Sequence, residues 1–215
     1  MIRLVRLLLV TLGIVFVCAA HAGEVVWVPP STAKWTGDFR PTELGAFKRI
    51  LADHPITHLH LTDSNGGIKM VAQEVIAIVR ERKLSVSAKG TCNSACAMAF
   101  LASSDRVMLP SGADSPTKIG IHGIFHDLTL ENVPPTDQDV AFYTEATAGK
   151  MPKKLIESML RTKSIRGGLM IYESPITTPV GPVYVLFCDI TDDNMNFGCQ
   201  PLKGENAASL GIVLR

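Results

Sequence analysis

Gly90-Thr91-Cys92-Asn93-Ser94-Ala95-Cys96-Ala97-Met98-Ala99-Phe100-Leu101 is where this chain passes from an extended segment into a buried helix. Leu84 to Ala88, just before it, reads as a strand that ends at Gly90. From Ser94 to Ala102 nearly every residue is apolar, which predicts a helix with no solvent-facing side. Ser94 stands at the start of that helix, where a serine is a good N-cap. Loops that lead from strand ends into helices are also where α/β sheets place their sites.

The neighbouring segments repeat the alternation. Ile56 to Leu61 alternates His with Leu and reads as a strand, and Asp63-Ser64-Asn65-Gly66-Gly67 follows as a turn. Ile68, Val71, Ala72, Val75, Ile76 and Val79 then recur at helical spacing. Arg106 to Leu109, stopped by Pro110, and Lys118 to His122 are further strands. Strands alternating with helices over 56–122 predict βαβ units and a mostly parallel sheet in an α/β fold. Upstream, Glu24 to Val28 is a strand stopped by Pro29-Pro30, and Thr42 to Ala52 is a helix with Thr42 as its cap. Trp35 and Phe39 are expected to pack near that helix. Downstream, 137–148 and 152–160 read as helices. The pattern changes beyond Gly167: Leu169 to Tyr172 and Val183 to Cys188 are strands around a Pro/Gly-rich turn, a hairpin-like insertion over about 167–200. Glu205 to Leu210 is expected to be a short final helix before the strand-like Ile212-Val213-Leu214.

The N-terminus sets the compartment. Arg3 and Arg6 precede an apolar run from Leu7 to Ala20, and Ala20-His21-Ala22 has the small-x-small form of a cleavage site. This is the layout of a signal peptide, residues 1–22, leaving a single domain over 23–215 in the periplasm or outside the cell. The run is short for a spanning helix, and no later segment is long and apolar enough for one, so no membrane span is expected after cleavage. Four cysteines then remain: Cys92, Cys96, Cys188 and Cys199. An even number in an exported chain suggests two disulfides. Three pairings are open, of which the local one, Cys92–Cys96 with Cys188–Cys199, is the most economical. The spacings are poor for zinc, and neither a metal nor another cofactor is expected. The 21 Lys+Arg against 20 Asp+Glu give a net charge of +1, without the basic field that nucleic-acid binding needs.

Two loops qualify for chemistry. Gly66-Gly67 at a helix start exposes backbone N–H groups suited to an oxyanion. The Gly90–Cys96 turn offers Ser94, and His122 ends a strand 28 residues later, inside Gly120-Ile121-His122-Gly123. A serine nucleophile, a histidine base and an oxyanion hole of N–H groups suffice for acyl transfer. His126 is a substitute base or a loop histidine. His58 and His60 share one strand face and lack a third metal ligand in view.

These residues carry a resemblance. Leu59 to Gly67 resembles the strand and Asn-Ser-Pro-Gly-Gly turn of the Clp protease proteolytic subunit. Gly90 to Pro110, with Ser94 four residues after the glycine and an Arg-x-x-Leu-Pro ending, resembles that family's nucleophile segment. Ile119 to Gly123 is similar to its histidine strand, and Glu205 to Val213 to its closing segment. The Cys-x-Ser-Ala-Cys form behind a signal peptide is most similar to an exported ClpP-like branch of the ClpP/crotonase superfamily. The resemblance implies a spiral of ββα units and a serine peptidase-like hydrolase acting on a peptide or protein. It further implies Ser94 as nucleophile, His122 as base and an oxyanion hole from Gly66 or Gly67 with Ala95. The third member, an acid, falls within the insertion, where Asp189, Asp192 and Asp193 are candidates. A Ser–Lys dyad, as in signal peptide peptidases of the same superfamily, would draw on Lys150 or Lys163. Relatives often assemble into rings, so a homo-oligomer is compatible. The rival reading is a catalytically inactive binding or scaffold protein on the same fold, with Ser94 only capping its helix.

Overall fold

The computed structural model describes residues 23–112, 115–126, 131–191 and 196–214. The expected signal peptide and the candidates Asp192 and Asp193 lie outside the described residues. The chain opens with an antiparallel hairpin of Glu24–Val28 (β1) and Thr32–Thr36 (β2). It continues through Pro41–Asp53 (α1), His58–Ser64 (β3), Lys69–Arg82 (α2), Ser85–Asn93 (β4), Ala95–Leu101 (α3), Arg106–Met108 (β5) and Lys118–Ile121 (β6). β2, β3 and β4 run parallel, with Lys34, His60 and Ser87 in one row. Each crossover between them is a helix, as parallel neighbours require.

β4 is the pivot. Its first half pairs with β5, Val86 opposite Arg106, and its second half with β6, Asn93 opposite Gly120. The register shifts past Thr62, and Gly90 takes φ +73° there. A Cβ on Gly90 would sit 2.0 Å from Asp63 Oδ1, so no other residue fits that bend unchanged. The strand that the sequence suggested would end at Gly90 therefore runs on to Asn93, and it delivers Ser94 against β6.

After β6 come a two-stranded ribbon, Ile124–Phe125 (β7) with Asn132–Val133 (β8), and two helices, Asp137–Ala146 (α4) and Lys153–Leu160 (α5). The expected insertion is an antiparallel meander of Gly168–Thr178 (β9), Gly181–Ile190 (β10) and Phe197–Pro201 (β11). It joins the main sheet through β9, which pairs with β6. Sheet order is β1-β2-β3-β4-β6-β9-β10-β11, with β5 on β4.

Alternation along the strands sorts the two faces. Ala33, Trp35, Leu59, Leu61, Val86 and Ala88 are buried against the helices, while Lys34, His58, His60 and Ser87 point the other way. α2 adds Val71, Ala72, Val75, Ile76 and Val79 to the core, each valine or isoleucine there contributing about 1.5–3 kcal/mol by leaving water. Trp35 stacks on Phe39 and meets Phe47 of α1 edge-on, as expected. Among the described residues no helix is long and apolar enough to cross a membrane. Both local disulfides form: Cys92–Cys96, and Cys188–Cys199 across the β10/β11 pair.

Two local expectations are corrected. Thr42 does not cap α1. Arg40 is at the cap position with no side-chain cap bond, Pro41 follows, and the Thr42 hydroxyl bonds Glu43. Glu205 to Leu210 is a series of turns, not a helix, and Ile212 to Leu214 is not a strand. The Asn206 side chain accepts from the N–H groups of Ala208 and Ser209, offering the backbone a local alternative to helical bonding.

Candidate active site

Ser94 sits on the sharp turn between β4 and α3. Its backbone is at φ +53°, ψ −117°, a conformation that costs a non-glycine residue about 1–3 kcal/mol. Three ties hold it there. Its N–H donates to Gly120 O at 2.8 Å, its carbonyl accepts from Met98 N–H at 3.0 Å, and the Cys92–Cys96 bridge spans it. The hydroxyl makes no cap bond to α3, so the N-cap role open to a serine at this position is not the one it plays. Among the described residues the Ser94 hydroxyl has no hydrogen-bond partner, His122 included, and a strained serine on a turn between strand and helix has the backbone form of a nucleophile elbow.

The Gly66-Gly67 turn lies directly on this elbow. A Cβ on Gly66 would be 2.6 Å from Ser94 Cβ and 3.1 Å from Asn93 O. Gly67 is held by Phe39, whose N–H donates to Gly66 O and whose carbonyl accepts from Ile68 N–H. The Gly66 N–H donates to Ser64 Oγ at 3.2 Å. Among the described residues the N–H groups of Gly67 and Ala95 have no partner, and both residues line the cavity that contains Ser94. Of the two glycines considered, Gly67 is thus the one with a free donor.

His122 follows β6 directly, two residues beyond the Gly120 carbonyl that holds Ser94. Its Nδ1 lies 2.6 Å from Gly123 O. A carbonyl only accepts, so Nδ1 carries the proton and Nε2 is the free basic nitrogen. Burial pushes the imidazole below its ordinary pKa, partly offset by the bond to Gly123, so it is neutral at pH 7. Gly168 packs against it, since a Cβ there would come within 2.9 Å of His122 Cβ. Asp189, the described candidate for the third position, accepts from Lys163 N–H at 2.8 and 3.1 Å. The group on His122 Nδ1 is the Gly123 carbonyl, which side-chain chemistry in the sequence had no means of indicating.

The cavity holding Ser94 and His122 measures about 910 Å³. Its walls include Met98, Ile124, Phe125, Leu160 and Met170. Charged residues line it too: Lys69, Lys118, Asp139 and Arg166. Lys69 Nζ and Asp139 Oδ1 are 2.8 Å apart. Burial raises the Asp139 carboxyl, but the bonds from Lys69 and Thr136 outweigh it and hold it below its ordinary pKa. None of these four stood out in the sequence, because Lys69, Lys118 and Asp139 lie in three different elements and Arg166 in the turn before β9. Lys150, raised as a dyad partner, bonds Ala208 O at 3.4 Å, and neither it nor Lys163 lines the cavity. His126 lines it and is exposed. On the sheet's other face, His58 bonds Ser85 and Ser87, and His60 bonds Ser87, each at 2.7 Å.

No family model matches the chain, and no curated protein does. Among solved structures the chain is similar to ClpP1 from Listeria monocytogenes: 13% identity, 85% of this chain, 88% of that chain, TM-score 0.50. It is also similar to a mutant of the 1510-N membrane-bound stomatin-specific protease, at 17% identity over 60% of this chain and 68% of that chain, TM-score 0.44. A complex of that protease with a substrate peptide gives 14% identity, 60% and 64% coverage, and the same TM-score. The ClpP1 likeness shows the fold: a ClpP-like α/β architecture, as the sequence motifs implied.

Proposed function

We propose that the chain is an exported serine hydrolase of peptidase type that works through an acyl-enzyme on Ser94. The observation that carries this reading is the strained Ser94 sharing one cavity with His122, Gly67 and Ala95, where among the described residues the Ser94 hydroxyl and the N–H groups of Gly67 and Ala95 have no partner. Ser94 Oγ attacks the scissile carbonyl carbon as His122 Nε2 takes its proton. The oxyanion is received by Gly67 and Ala95 N–H, donors fixed before the reaction begins. Collapse returns the Nε2 proton to the leaving amine and leaves the acyl group on Ser94. Water then attacks with His122 again as base, and Ser94 regains its proton. Gly123 O keeps the imidazole in the required tautomer throughout. As a neutral acceptor it stabilises the imidazolium less than a carboxylate would.

In this reading residues 1–22 are a signal peptide and 23–215 one domain whose sheet is extended by the segment 167–200. The two disulfides favour an oxidising compartment, periplasmic or extracellular. A second reading, an inactive binding scaffold, is favoured by one observation: the Asp189 carboxylate is engaged by Lys163 N–H. Covalent labelling of the full chain, both disulfides formed, with a fluorophosphonate serine probe separates the two. The hydrolase reading expects label at Ser94 by peptide mass spectrometry, lost in Ser94→Ala and in His122→Ala. An unlabelled Ser94 in the folded, bridged protein overturns it.

A further inference from the structure

The charges in the Ser94 cavity do not cancel. Lys69, Lys118 and Arg166 line it against one carboxylate, Asp139, and Lys69 is already paired with that. Lys118 and Arg166 have no acidic partner among the described residues. The excess is local, since the whole chain carries only +1.

The placement of the two cations follows from the sheet. Along β6, Ile119 and Ile121 are buried in the core, so Lys118 and Gly120 face the opposite way. Gly120 O receives the Ser94 N–H, which puts the Lys118 backbone about 7 Å, two residues, upstream of the serine's attachment point. Arg166 is two residues before Gly168, where a Cβ would stand 2.9 Å from His122 Cβ. One cation therefore stands on the Lys118 side of Ser94 and the other on the His122 side. Lys118 is half-buried and lines the cavity together with Met98 and Met170, and among the described residues its ammonium has no counter-charge of its own. A ligand with an anionic group would supply that charge, and the cleft's apolar walls would take the rest of it.

We infer that this cleft selects acidic peptides, with Lys118 and Arg166 as the specificity-determining contacts on either side of Ser94. This rests on the reading of the cavity as a peptide site. The anion is a Glu or Asp side chain, or a free C-terminal carboxylate, and the two sources are separable by experiment.

The test uses the full chain carrying Ser94→Ala, disulfides formed, and fluorescence anisotropy with three labelled peptides. They share an apolar centre and carry Glu, Gln or Lys on both flanks, each made with a free and an amidated C-terminus. The Glu peptide is expected to bind about tenfold more tightly than the Gln peptide at low salt, the Lys peptide most weakly, with the spread shrinking at high salt. Lys118→Gln and Arg166→Gln are each expected to remove part of the Glu advantage, and Lys118→Glu with Arg166→Glu to reverse the order. A preference that vanishes on amidation assigns the anion to the C-terminal carboxylate; one that survives assigns it to side chains. Binding blind to charge, or a preference that persists in Lys118→Gln with Arg166→Gln, overturns the inference. Phosphonate labelling of the unsubstituted protein is read separately. A labelled serine with charge-blind binding sinks this inference alone, whereas charge-ordered binding with an unlabelled serine sinks the hydrolase reading alone.

Discussion

Replacing Gly66 by alanine tests the elbow directly. Gly66 is at φ +117°, where an L side chain costs about 1–3 kcal/mol. The new methyl would also stand 2.6 Å from Ser94 Cβ and 3.2 Å from Ser94 Oγ. Carbon atoms rest about 3.5–4.0 Å apart, so the turn and the serine must separate by about 1 Å. Crowding of this kind adds about 1–3 kcal/mol. The summed loss of about 2–6 kcal/mol lowers the melting midpoint of a domain this size by roughly 5–20 °C. A displacement near 1 Å at a reacting atom costs about a hundredfold in rate. Gly181→Ala is the control: it also has positive φ, +105°, but a Cβ there meets nothing within 4 Å. Gly66→Ala is therefore expected to label with the phosphonate probe about a hundredfold more slowly at a temperature where it remains folded, and Gly181→Ala at the unsubstituted rate. Labelling rates measured by mass spectrometry beside calorimetric midpoints decide it. A folded Gly66→Ala protein that labels at the unsubstituted rate refutes the argument that this glycine sets the position of the reactive serine.

Arg106 is buried and donates to the carbonyls of Leu101, Ser103, Ala146, Gly211 and Ile212, tying α3, α4 and the C-terminal segment together. Burial pushes its pKa down to about 10, which leaves it charged at neutral pH. Arg106→Met strands these acceptors and is expected to cost about 3–5 kcal/mol by urea denaturation; a loss under about 1 kcal/mol contradicts the assignment. His122, His58 and His60 all have pKa values lowered foremost by burial. The unfolded chain then binds more protons than the folded one between the folded values and about 6.5, so stability is full above that pH and declines as pH falls through the window. Ser94 labelling is expected to rise through an inflection below about 6.5 and to be flat from pH 7 to 8; an inflection at or above 6.5 counts against His122 as the buried base. Reducing the disulfides, or Cys92→Ala with Cys96→Ala, releases one tie on the Ser94 backbone and is expected to slow labelling while the fold persists by circular dichroism. Equal labelling in both redox states shows that the bridge does not position the serine.

Much of the architecture is legible in local patterns. The α2 stripe from Ile68 to Val79, the buried run after Ser94 and the alternation of Ile56 to Leu61 are each set by short-range periodicity, and each forms the element expected. The strand Thr32–Thr36 passed unread because five residues with a lysine at the centre carry little pattern. Its identity comes from parallel pairing with β3. The turns after Glu205 show the reverse case. A helix-compatible composition yields to Asn206, whose side chain satisfies nearby N–H groups, and to Gly211, whose position against the Thr147 backbone leaves no room for a side chain.

The candidate site divides along the same line. Ser94, His122 and Gly66-Gly67 are visible in sequence because particular side chains, or their absence, are needed at particular distances from strand ends. By itself the sequence left all three pairings of the four cysteines open, the local one the most economical, and pointed to a ClpP-like α/β fold. The tertiary structure alone decided which backbone groups are free: among the described residues Gly67 N–H and Ala95 N–H are, Gly66 N–H is not, and Gly123 O holds the imidazole. It alone brought Lys69 of α2, Lys118 of β6, Asp139 of α4 and Arg166 into one cavity. The physical reason is that every residue carries the same N–H and carbonyl, and a long-range charge pairing leaves no local mark. Only the chain's path through space says which of them meet.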